Sequence, residues 1–243
     1  MLASDLKTYQ SANMPEDDVS ASGGAINALG LIEFTDLPAN GTLEAVSDNA
    51  ADTMSLTITG RDPGSAIASE TLALNGTTVV PFTTTLKNFL KAALAAAPAG
   101  TITIRLAGGG ATVATIAPGK TSVRRMFFDA SSEAAQTVRF EKLFVKNEHA
   151  IDTLNSAAIK LTADPSASIR IGAAPAKDDT ASVADRKTVP ASVTFVDDGI
   201  AQNVPGGTLA AGEAIGIWAE FTRGAGAVAV WDTFSVEISG SSA

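Results

Sequence analysis

Cysteine is missing from this 243-residue sequence, which removes disulfides and thiolate metal sites together. Aromatic residues are scarce: one tyrosine, two tryptophans and ten phenylalanines make up 5% of the chain, little from which to build sugar-binding platforms. No run approaches the ~20 apolar residues that span a bilayer. The opening Met1-Leu2-Ala3-Ser4-Asp5-Leu6-Lys7 lacks the charged and apolar regions of a signal peptide, so synthesis in the cytoplasm is expected. Basic residues are also few, 17 against 26 acidic ones for a net charge of −9. They form no run longer than a pair. Phosphate recognition depends on clustered Lys and Arg, so direct nucleic-acid binding is not expected, and neither is a membrane partner.

What is present is a short-period hydrophobic pattern. Met54, Leu56 and Ile58 alternate with Ser55, Thr57 and Thr59, as in a half-buried strand. Gly60-Arg61-Asp62-Pro63-Gly64 supplies a turn, and Asn75-Gly76 a hairpin signal, because both residues tolerate positive φ. Ile102, Ile104 and Leu106 alternate next, then Gly108-Gly109-Gly110 separates them from Val113 to Ile116. Further strands are read at Ser122 to Phe128, Thr137 to Lys146, Ile151 to Leu161, Ser168 to Ile171, Val193 to Val196, Ala214 to Phe221 and Trp231 to Ile238. Ala174 to Val189 reads as loop, and the polar stretch Asp129 to Gln136 as a linker. Turn signals about every ten residues suit sandwiches or barrels. One segment conflicts: Leu86, Phe89, Leu90, Ala93 and Leu94 fall at helical spacing.

The first 25 residues have few periodic apolar positions. Ser11-Ala12-Asn13-Met14-Pro15-Glu16-Asp17-Asp18 is polar and acidic, and Ser22-Gly23-Gly24 closes it with a flexible break. The expected organisation is all-β: an extended N-terminal arm over 1–25, a β-sandwich over 26–130 and a second over 131–243, Ig-like or jelly-roll-like in type.

No constellation for catalysis emerges. The single histidine, His149, has no Gly-x-Ser-x-Gly elbow to serve, and a turn residue bonded to backbone is the better reading. Glu16-Asp17-Asp18, Asp178-Asp179 and Asp197-Asp198 offer paired carboxylates, but without the alternating loop of a calcium site; solvated loop charge is favoured. Gly108-Gly109-Gly110 lacks the Gly-Lys-Ser/Thr ending of a phosphate loop. Trp218 and Trp231 are read as core or interface anchors. The expectation is no catalytic residue, no cofactor and no metal.

Two passages carry a resemblance. The opening Ala3 to Asp18 with Ser22-Gly23-Gly24-Ala25-Ile26, and the closing Ala211-Gly212-Glu213-Ala214-Ile215-Gly216-Ile217-Trp218 to Phe234, resemble a family of virion proteins from the head-gene region of tailed phages and prophages, some Mu-like. The run Leu56 to Asp62, Ser69 to Leu72 and Asn75 to Thr78 is similar to Ig-like modules common in such particles. The resemblance implies a minor capsid or decoration (cement) protein of the virion, assembled in the bacterial cytoplasm. Its implied partners are the major capsid protein and further copies of itself, as a homotrimer at a threefold position. It also implies that Thr84 to Leu94 is a strand. On this reading Tyr9, Met14, Glu16, Asp17 and Asp18 of the arm contact a neighbouring subunit or the shell. The alternatives are a neck, tail or baseplate protein, a carbohydrate-binding adhesion module with exposed aromatics, and a polysaccharide-cleaving hydrolase.

Overall fold

The structure, a computed structural model, describes residues 1–32, 35–128, 137–164, 167–224 and 233–242. The chain is all-β. More than half of it is strand, and the helical pieces among the described residues are 3-10 turns at Ala3–Asp5 and Pro205–Gly207. Residues 28–126 form one compact unit, and residues 1–27 with 127–243 form the other. The middle unit is thus an insertion in the chain of the outer one, where the sequence suggested two consecutive domains. The proposed linker Asp129 to Gln136 and the residue Trp231 lie outside the described residues.

The chain opens with β1 (Leu6–Asn13) and β2 (Ser22–Leu31), the latter running on into the inserted unit. That unit contains β3 (Leu43–Ser47), β4 (Ser55–Arg61), β5 (Ile67–Ala73), β6 (Val80–Pro81), β7 (Asn88–Leu94), β8 (Ile102–Leu106), β9 (Thr112–Ile116) and β10 (Ser122–Arg124). The outer unit then adds β11 (Thr137–Asn147), β12 (Leu154–Ala163), β13 (Ile169–Lys177), β14 (Ser182–Val183), β15 (Ala201–Asn203), β16 (Thr208–Leu209), β17 (Ala214–Arg223) and β18 (Ser235–Ser242).

The inserted unit is a two-sheet sandwich. One sheet runs β6-β3-β8-β9; the other runs β10-β7-β4-β5, with the end of β2 beside β10. Inward residues of both sheets, among them Leu43, Ala45, Leu56, Ile58, Phe89, Ala92, Ile102, Ile104 and Val123, make one apolar core. Alternation in β4 and β8 places these side chains on a single face. The helical spacing around Phe89 has a plain cause. In the β4–β7 register Thr59 faces Lys91 but Gly60 faces Phe89, so Leu90 is an extra residue, a β-bulge. One inserted residue changes the core-facing spacing from two to three between Phe89 and Ala92, which imitates a helix. The segment is a strand from Asn88 onward. Gly60 sits opposite the bulge, where a Cβ would lie 2.4 Å from the Asn88 carbonyl oxygen.

The outer unit has a sheet ordered β13-β17-β11-β1-β2, with β14 on β2, and a second sheet centred on β12. There β18 follows β12 along its length, while β15 and β16 pair with different stretches of it. β11 and β17 are buried almost throughout, as central strands must be when both faces are covered.

Three expectations need correction here. The N-terminal arm is not an arm: β1 is an interior strand, pairing with β11 from Leu6↔Asn147 to Gln10↔Leu143, and Tyr9 is fully buried. Its polar Gln10 and Ser11 are buried too, which hid the strand from a hydrophobicity reading. Gly23 is no flexible break: it lies at φ 89°, paired with Ser182, and a Cβ there would meet the Trp218 ring at 2.5 Å. Finally, Ala174 to Val189 holds the end of β13 and all of β14, whereas Val193 to Val196 gives only a single bridge, Ile171↔Val196.

Deleting residues 2–22 is expected to unfold the outer unit rather than trim it, read as loss of hydrogen-exchange protection along β11 and β17. Gly60→Ala is expected to destabilise the inserted unit by about 1–3 kcal/mol in urea unfolding, the usual scale for an overpacked site.

Candidate functional site

The densest polar cluster lies within the outer unit, around Asp18. The turn after β1 carries Asp17 and Asp18. Asp17 closes it locally, its Oδ1 accepting from the Val19 and Ser20 amides at 2.9 and 2.8 Å. Asp18 points inward instead. Its carboxylate accepts from Arg139 Nε and Arg186 Nε, both at 2.8 Å, and pairs with Lys187 Nζ at 2.8 Å. Arg139 and Arg186 are buried completely or nearly so. Arg139 and Glu141 share one face of β11, two residues apart. The Glu141 carboxylate receives the Phe127 amide at 2.7 Å and Arg186 Nη1 at 3.4 Å, and that nitrogen also donates to the Phe128 carbonyl at 3.1 Å.

Burial alone would raise the Asp18 carboxyl, but hydrogen bonds from Lys187, Arg139 and Arg186 outweigh it and hold it far below the usual carboxylate range. A buried guanidinium demands such a partner, because an uncompensated charge away from water costs several kcal/mol. The cluster ties three distant pieces together: the turn at 15–18, β11 and the 185–187 segment. Both of its carboxylates are spent on the protein's own cations and amides. Its chemistry is that of a clasp.

This placement revises the assumed shell contacts. Tyr9 is in the core with its hydroxyl donating to Glu148, and burial followed by that bond pushes the phenol up. Asp18 is consumed by the clasp. Asp17 is exposed, and Met14 and Glu16 are half-buried. The five residues do not form one outward patch.

Most of the other sites considered in the sequence are likewise occupied from within. Asp179 receives Lys142 Nζ at 2.9 Å, and the Ala181 carbonyl takes the same ammonium at 2.7 Å beneath the Phe144 and Trp218 rings. Burial pushes Lys142 down while Asp179 holds it up. Asp178 accepts from the Ala214 amide at 3.0 Å. Asp197 and Asp198 are exposed. His149 Nδ1 accepts from the Asp152 and Ile151 amides at 2.8 and 3.2 Å, so it is a turn residue bonded to backbone. Trp218 is 1% exposed and packs with Phe140, Ala174 and Val183, which removes it as a glycan platform.

In the inserted unit the glycine run behaves similarly. Gly108-Gly109-Gly110 joins β8 to β9, with Gly108 and Gly109 at φ 80° and 76°. Successive amides in such a turn form an anion-binding concavity. The anion is the protein's own Glu44, which accepts from Gly108 N at 2.9 Å, Gly109 N at 3.0 Å and Arg105 Nε at 2.7 Å. Asp52 in turn accepts from Ser47 Oγ and the Ala99 and Gly100 amides at 2.6, 2.7 and 2.9 Å. Among the described residues, no group of three or more His, Asp or Glu side chains is placed to hold a metal ion. A hollow lined by Leu43, Ile58, Glu70, Phe82, Thr84 and Leu86 has room for about one water molecule.

Known proteins offer no template. No protein-family model, curated protein or solved structure matches the chain. The buried charges Arg139, Glu141, Lys142 and Arg186 escaped the sequence reading. The signal available was three ionisable residues inside the apolar run of β11, since a strand that must bury charge needs counter-charges from elsewhere.

Asp18→Ala is expected to cost about 3–5 kcal/mol, the scale for breaking a buried pair on one side. The folded carboxyl is depressed, so its stabilisation is complete above the unfolded value of about 3.9 and is lost as pH falls below it. Asp18→Asn should therefore be destabilised at neutral pH and flatten the acid limb of a urea-midpoint against pH curve.

Proposed function

We propose that this protein is a non-enzymatic structural component of a tailed-phage particle, seated on the head lattice as a minor capsid or decoration protein. The observation that carries the reading is how the resembling stretches sort. The opening residues and the closing stretch around Trp218, far apart in sequence, fall in the same unit, where Gly23 packs against Trp218. The generic Ig-like run falls in the inserted unit. A virion-type domain carrying an inserted β-sandwich accounts for that division.

The internal use of charge supports a scaffold. Asp18, Glu44, Asp52, Glu141 and Lys142 are all bonded to the protein's own groups, so their role is to hold surfaces in place. A symmetric shell multiplies weak contacts by valency, and a trimer at threefold positions with the major capsid protein as partner uses that advantage. Tyr9 and Asp18 are taken up inside the fold, so of the five residues Met14, Glu16 and Asp17 keep surface for such a contact. Burial of Trp218 weighs against the adhesion-module alternative.

Antibody-gold labelling of purified particles from a host expressing this chain tests the proposal. Label over the heads is the expected result. Label confined to the tail or its tip would replace head seating with the tail alternative, and unlabelled particles would overturn the virion role.

A further inference from the structure

We infer that the free edge of β5 is a self-association surface, where the strand pairs antiparallel with β5 of a second copy of this chain. The inference goes beyond the particle role and does not depend on it.

A sheet edge presents unpaired N–H and C=O groups, and monomeric proteins blunt such edges with proline, charge, bulges or a covering segment. The inserted unit blunts its other edges. β6 is two residues long and contains Pro81. β9 carries a bulge, because Ile104 faces Ala114 while Arg105 faces Thr112, and its Val113 carbonyl is taken by the Thr35 amide at 2.7 Å. β10 has β2 beside it.

Among the described residues β5 has no proline, bulge or covering strand, and its one charge, Glu70, is turned to the Thr83 and Thr84 amides. It pairs with β4 over seven residues without a register shift, and it ends its sheet. The Leu74 amide donates to Met54 and the Asp62 amide to Ala66, which fixes the phase of the ladder. Even-numbered residues of β5 therefore bond to β4, and Ile67, Ser69, Thr71 and Ala73 turn their backbone groups outward. All four are exposed, and none is charged or proline.

The chemistry of this row selects a second copy as occupant. It is uncharged, so an identical strand meets it without like-charge opposition. Its one charged residue, Glu70, restricts the register: a twofold axis through Glu70 would set the two carboxylates opposite each other, a destabilising arrangement. An axis through Ser69 sets Glu70 across from Ala68 and Ile67 across from Thr71, covering the most apolar exposed side chain of the strand twice. Twofold pairing is also the commonest closed symmetry among oligomers. Each copy uses β5 once, so the contact can also join one trimer to its neighbour.

The absence of cysteine makes the test clean. In this register Ser69 faces its own counterpart, about 5.5 Å away between Cα atoms, within disulfide range. Ser69→Cys should oxidise to a covalent dimer of the full chain, while Ala73→Cys, far from its counterpart, should not. Thr71→Pro removes an outward N–H where edge strands tolerate proline. It should weaken self-association in sedimentation equilibrium by about tenfold, as expected for one or two lost hydrogen bonds, with circular dichroism and melting unchanged. Ser69→Lys, placing like charges on the axis, should do the same. A wild-type chain that stays monomeric at high concentration overturns the inference. So does equal cross-linking of the 69 and 73 variants, which would mean random collision.

Discussion

The outer unit depends on one strand that is difficult to bury. β11 carries Arg139, Glu141 and Lys142 at positions with essentially no exposure, and it needs hydrogen-bonded neighbours on both sides. Those neighbours come from opposite parts of the chain, β1 on one side and β17 on the other. Its charges are met by Asp18, Asp179 and Arg186, which belong to turns rather than strands. Neither condition can be satisfied alone. A buried charge without its partner is more costly than no charge, so the turns must close as the sheet forms.

This coupling explains why acidic stretches with the look of binding sites are internal fittings. A carboxylate that accepts two or three hydrogen bonds loses basicity and freedom together. Glu44 at the glycine turn, Asp52 under the Ala99–Gly100 amides and Glu70 at the Thr83 and Thr84 amides repeat the device in the inserted unit. There a side chain replaces water at backbone groups that the sheets leave over. A thin core, rich in alanine and poor in aromatics, is reinforced by polar closure of its loops.

Much of the fold was legible where one face is wet and one dry. Leu56 and Ile58, or Ile102 and Ile104, announce β4 and β8 because threonines alternate with them. The reading failed where that contrast is absent. β1 buries Gln10 and Ser11 beside Tyr9, so its polarity suggested a loose arm. The bulge at Leu90 broke the period in β7. The clasp could not be read at all, since Asp18 lies 121 residues from Arg139 and 168 from Arg186. Pairing at that separation leaves no local trace. His149, by contrast, was readable as a turn residue because its partners are two and three positions away.

The inserted arrangement has a consequence for how the molecule is born. As the chain emerges from the ribosome, the segment 28–126 holds all it needs to complete its own sandwich. β1 has emerged earlier, yet its partner β11 has still to be translated, and the β17 that completes β11 comes later again. Domains generally fold as units during synthesis, so the middle of this polypeptide is set to mature before its beginning. β1 has β2 beside it at once, but its other edge stays open until the whole inserted unit has been translated and β11 follows.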